Sequence, residues 1–194
     1  SKEEDQNALI LSWFTHDSKN RLDSLRLNLF HSIMLEQDSQ LILNCEKENI
    51  LLSDFVGLFD SNRQTLFFLG VDNIPENDLN KTKSILLKSL KDFTEQNFDK
   101  KRLHNYLDKI EFSLKNKSKN NYSVNLLTQL SSVITESNFN IEDILNIDQM
   151  IKTVREEIDS GNLLKNVYNQ YLTEDKLKTT VSFADTALLY AKMI

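Results

Sequence analysis

The amino-acid sequence predicts an α+β fold: a mostly antiparallel sheet with helices packed on one face, and a helix-rich second half. Three observations lead there. Four short apolar segments, Asn7–Phe14, Leu51–Asp60, Gln64–Val71 and Lys178–Ala184, have the length and the β-branched or aromatic content of strands. Elsewhere apolar residues recur at intervals of three and four, the spacing of a helix with one buried stripe. The 194 residues include only three Gly and one Pro, too little punctuation for a sandwich built from many tight hairpins.

The elements follow in order. NALILSWF is the first strand, and Leu22, Leu25, Leu29 and Ile33 then mark a helix over about 21–35. In DSQLILNCEKE, Asp38 is the expected cap of a shorter helix carrying Leu41, Ile42 and Cys45. The runs around Ser61-Asn62-Arg63 read as a hairpin. Thr65, Phe67, Leu69 and Val71 share one face of its second strand, and Leu66 and Phe68 the other, so cover is expected on both faces. Pro75 suits a first helical turn, and Leu79, Leu86, Leu90 and Phe93 carry that helix to about Gln96. Asp99 caps the next, with Phe98 and Leu103 as a hydrophobic staple and Leu103, Leu107, Ile110 and Leu114 as its stripe. After the polar loop Lys115–Asn121, Leu127, Leu130 and Ile134 mark another helix. Ile147, Ile151, Val154 and Ile158 mark one more, stopped by Gly161. Leu164, Val167, Tyr168 and Leu172 precede the last strand, which is expected beside the first. The whole is expected to be a single α+β module over 1–194, with a helical subregion over 122–172.

Composition narrows function by exclusion. Lys and Arg number 23 against 29 Asp and Glu, a net charge of −6 with no basic cluster, which disfavours a nucleic-acid partner. Cys45 is the only cysteine, so neither an intrachain disulfide nor a cysteine-based zinc site is expected. No apolar run approaches the roughly 20 residues of a membrane span, and SKEEDQ lacks the order of a signal peptide, so no membrane partner is expected. The three histidines, His16, His31 and His104, form neither HExxH nor its inversion, and no GxSxG, P-loop or GxGxxG sequence occurs. His104 and Asp108 share a helix face, yet two ligands fall short of the three a catalytic zinc needs. Cys45 reads as a packed helix thiol, and Glu111 as an i,i+4 partner of Lys115. Gly57 and Gly70 read as bulges or close-packing points within strands, and Phe67 and Phe68 as sheet core. No catalytic residue, metal ligand or cofactor is expected in this chain.

Several segments, in order, resemble the pitrilysin and insulinase class of metallopeptidases, specifically the presequence protease and falcilysin subfamily. NALILSWFTHD with LDSLRLNLFHSIML resembles the first strand and helix of that family's second module, and TLFFLGVDNIPENDL its strand leading into a long helix. FDKKRLHNYLDKIEFSLKNKSKN is similar to a helix with an I-E-F-x-L-[RK] core, and YSVNLLTQLSSVI to the helix after it. IEDILNIDQMIKTVREEIDSGNLLKNVYNQYLTEDKLKTTVSF follows the family's order of helix, glycine stop, short helix and strand. The resemblance implies four related modules enclosing a peptide, with zinc held by HxxEH in the first. Lacking that motif, this chain is expected to be the second, non-catalytic module of a longer zinc metalloendopeptidase, with cut ends at SKEEDQ and KMI. Its expected partners are other modules of the same polypeptide and a peptide substrate, in an intracellular or organellar compartment. By position, Phe55, Val56 and Gly57 are the expected substrate contacts, through addition of a peptide strand to a sheet edge. A free-standing, non-catalytic scaffold or interaction module is the alternative.

Overall fold

The computed structural model describes residues 7–17, 19–60, 63–115 and 146–183. Strand β1 (Asn7–Asp17) leads into helices α1 (Arg21–Met34) and α2 (Gln40–Lys47), followed by strands β2 (Leu52–Asp60) and β3 (Gln64–Ile74). Helices α3 (Leu79–Glu95), α4 (Lys100–Lys115), α5 (Ile147–Ser160) and α6 (Leu163–Tyr171) precede strand β4 (Leu177–Ser182). The strands form one sheet in the order β2-β3-β1-β4, every pairing antiparallel, with the last strand beside the first as the sequence predicts. Residues 116–121 of the predicted loop, the helix expected around Leu127, Leu130 and Ile134, and so much of the helical subregion lie outside the described residues.

Polar residues set several boundaries that hydropathy alone leaves short. β1 runs three residues past Phe14 because Thr15 Oγ1 donates to the Thr65 carbonyl at 2.8 Å, and buried His16 shares a 2.8 Å hydrogen bond between Nε2 and Ser24 Oγ. β3 continues to Ile74, whose carbonyl accepts from Asn7 Nδ2 at 3.0 Å. α2 is capped by Ser39 rather than Asp38: Ser39 Oγ accepts from the Ile42 amide, while Asp38 pairs with Arg102 on α4. Pro75 precedes a 3₁₀ turn at Glu76–Asp78 instead of opening the α-helix itself. Asp99 Oδ1 accepts from the Lys101 amide at 3.0 Å, the expected cap of α4. Gly161 ends α5 in the left-handed region, at φ 74°, where a side chain would be strained.

The core lies between the sheet and the helices. Leu9, Leu11 and Trp13 of β1, with Phe67, Leu69 and Val71 of β3, face Leu29, Phe30 and Ile33 of α1 and Leu86, Leu90 and Phe93 of α3 in one buried cluster. Phe30 meets Phe93 edge-on with ring centroids 5.1 Å apart, and meets Phe67 at 6.1 Å. Among the described residues the opposite face is only partly covered, contrary to expectation: Phe14 is 56% and Phe59 60% exposed, and Leu66 and Phe68 are half-buried. Alternation in a strand reveals two apolar faces, but not whether both find a partner within the chain.

Gly70 is a close-packing point. A Cβ there would stand 2.4 Å from Ser53 Oγ and 2.7 Å from the Phe55 carbonyl oxygen, and the backbone cannot turn aside as a flexible side chain would. Gly70→Ala is expected to cost about 1–3 kcal/mol by overpacking. Urea unfolding measures it; an unchanged midpoint would show that β2 shifts freely there.

Candidate functional site

The candidate site is the side of the sheet that the helices leave open, together with the outer strand β2. Cross-strand register places Gly57 opposite Phe68, Phe68 opposite Ser12, Phe59 opposite Leu66, and Leu66 opposite Phe14. Opposed residues point to the same face, so these side chains and Ile10 share the open surface. Phe55 joins them, 61% exposed, with its ring 6.4 Å from that of Phe68.

The three predicted contact residues do not form one side-chain surface. Phe55 lies on the open face, Val56 packs against the core, and Gly57 is buried between them and Leu58. What they share is backbone in an outer strand, whose register with β3 breaks between Leu52 and Val56. His31 of α1 meets this stretch. Burial pushes its imidazole below the usual histidine range, against the opposing effect of a hydrogen bond to the Val56 backbone. Sequence reading passed over His31 because it falls off the apolar stripe of α1, whose buried surface is in fact wide enough to include Leu27, Phe30 and Met34.

Several ionisable groups among the described residues join helices. Arg26 binds Asp23 at 2.6 Å and grips Glu157 of α5 with Nε and Nη2, and Tyr171 of α6 donates to Asp23. Hydrogen bonds to the two carboxylates hold the Arg26 guanidinium charged, and burial beside Asp23 pushes the Tyr171 hydroxyl up. Arg102 pairs with Glu36 and Asp38. Arg155 pairs with Asp108 and, at 2.7 Å, with Glu111, so α5 supplies a charge partner of Glu111; the side chain of Lys115, the partner expected from sequence, lies outside the described residues. His104 Nε2 contacts Asp159 Oδ1 at 2.8 Å, so His104 and Asp108 turn to different partners. Cys45 is buried and its thiol is pushed up to about 11 by burial, away from thiolate chemistry.

Among the described residues no three His, Cys, Asp or Glu side chains gather as a metal site. No described helix is long and apolar enough to cross a membrane.

An antiparallel sheet with helices on one face and, among the described residues, an apolar opposite face defines a class: a mixed α+β module. The chain belongs to the peptidase M16 inactive domain family, whose profile matches residues 1–110. It is 23% identical to the mitochondrial presequence protease of Aspergillus fumigatus over 183 residues, covering 92% of this chain and 17% of that protein. It is 22% identical to the mitochondrial presequence protease of Xenopus tropicalis over 196 residues, covering 99% of this chain and 19% of that protein. The chain thus spans less than a fifth of the length of these relatives. In fold it is similar to the peptidase M16 inactive domain from Pseudomonas fluorescens, with a TM-score of 0.58 and 15% identity over 91% of this chain and 40% of that one.

Proposed function

We propose that this chain is a non-catalytic module of an insulinase-like zinc metalloendopeptidase that degrades unfolded peptides, where it forms wall of the substrate chamber and packs against other modules of the same polypeptide. The observation that carries the reading is the open sheet face, where Phe14, Phe55 and Phe59 are each more than half exposed. Contiguous apolar surface on this scale is characteristic of a surface made to meet something else. In this reading zinc and proton transfer belong to another module. The Phe55–Gly57 stretch contacts substrate through backbone, a mode tolerant of sequence because main-chain groups supply the hydrogen bonds.

The test compares the isolated chain with the full-length protein. The chain alone is expected to hold no stoichiometric zinc and to cleave no unfolded peptide, whereas the full-length protein does both. In that protein, Phe14→Asp with Phe59→Asp is expected to lower peptide cleavage about tenfold, as loss of buried aromatic anchors does. Zinc-dependent cleavage by the chain alone, or full activity in the double variant, would overturn the assignment.

A further inference from the structure

The geometry points to His31 as a plug that closes the free edge of β2 over Val56 and Gly57, so that an incoming peptide strand must displace it. The inference rests on the strand-addition reading above and assigns its control.

An outer strand leaves a row of amide and carbonyl groups open to pairing with another chain, and folded proteins blunt such edges. Among the described residues β2 bonds to β3 on one side only. One side chain from another element, His31 of α1, acts on the stretch that would receive substrate. Ser53 Oγ accepts the Phe55 amide at 3.0 Å where the pairing with β3 has lost its register, but it lies over Gly70 of β3 and so on the paired side of β2. At the next two residues, the His31 imidazole is hydrogen-bonded to the Val56 backbone, and its Nε2 stands 3.8 Å from where a Cβ of Gly57 would be.

The effect on the strand is visible. Gly57 is buried although Phe55 and Phe59, two residues to either side, are about 60% exposed. Cover on an outer strand comes from something other than a strand on its free side, and here His31 supplies part of it. The seat is also one the imidazole can leave. His31 Nε2 is buried without a hydrogen-bond partner, so it forgoes a bond to water that it regains on swinging out. A side chain that both caps the edge and is incompletely satisfied makes a reversible plug, whereas an aliphatic residue would make a permanent one.

The test is carried out on the full-length protein with a fluorescein-labelled, unstructured peptide of about 20 residues, long enough to span an edge strand. Affinity is read by anisotropy, and amide exchange is followed at Val56, Gly57 and Leu58. His31→Ala is expected to tighten binding about fivefold, the scale of one displaced hydrogen bond, and to increase the peptide-dependent protection of those amides. His31→Ser, smaller and still polar, is carried in parallel and is expected to act in the same direction, which keeps the measurement intact if the alanine variant unfolds. Equal affinity and equal protection in wild type and variants would overturn the plug and leave strand addition standing. Absence of peptide-dependent protection in wild type and every variant would overturn strand addition, and the plug with it.

Discussion

Trp13→Ala is expected to remove about 3–5 kcal/mol of stability, the cost of emptying a large, fully buried aromatic site. Trp13 has no exposed surface, its ring lies 5.9 Å from Phe67, and its Nε1 donates to the Thr173 carbonyl at 3.0 Å. That hydrogen bond ties the middle of the sheet to the turn before β4, whose first residue, Leu177, pairs with Trp13 itself. The loss should therefore fall first on β4, seen as faster amide exchange over Leu177–Ser182 at denaturant concentrations that leave β3 protected. Trp13→Phe keeps most of the bulk and forfeits the hydrogen bond, so a smaller loss of about 1–2 kcal/mol is expected. Equal losses for the two variants would show that the bond to Thr173, rather than the packing, carries the residue's contribution.

Arg26→Met is expected to cost about 3–5 kcal/mol, because it leaves a buried carboxylate without its cation. Asp23 is 3% exposed and also accepts from Asn20 Nδ2 and Tyr171. The same guanidinium reaches Glu157, so one substitution also loosens α1 from α5. Replacing Asp23 together with Arg26, as Asp23→Leu with Arg26→Met, should recover part of the loss, since the stranded charge is then gone. Chemical unfolding of the two single variants and the double variant closes the cycle. A cost below about 1 kcal/mol for Arg26→Met would place the pair with surface ion pairs of little consequence.

How far the sequence could be read differs between fold and site. Helix spacing located α1, α5 and α6 to within about a residue or two, because a stripe such as Ile151, Val154 and Ile158 is buried by the same periodicity that reveals it. Strand ends were less legible. The segments 15–17 and 72–74 are largely polar, and they pair because side chains such as Thr15 and Asn7 bond to the neighbouring strand. The functional stretch was legible only as a position. Nothing in FVG distinguishes a free edge from a plugged one, since the covering side chain comes from α1, more than twenty residues earlier.

By itself the sequence determined an antiparallel sheet with helices on one face and a chain without the common catalytic signatures, since periodicity, punctuation and motif spacing are properties of neighbours along the chain. Tertiary structure alone decided that, among the described residues, the second sheet face is only partly covered, that Arg155 of α5 answers Glu111, and that His31 sits on Val56 and Gly57. Each of these depends on which elements meet across the fold. Burial and pairing at those points are set by distance in space, which local sequence does not encode.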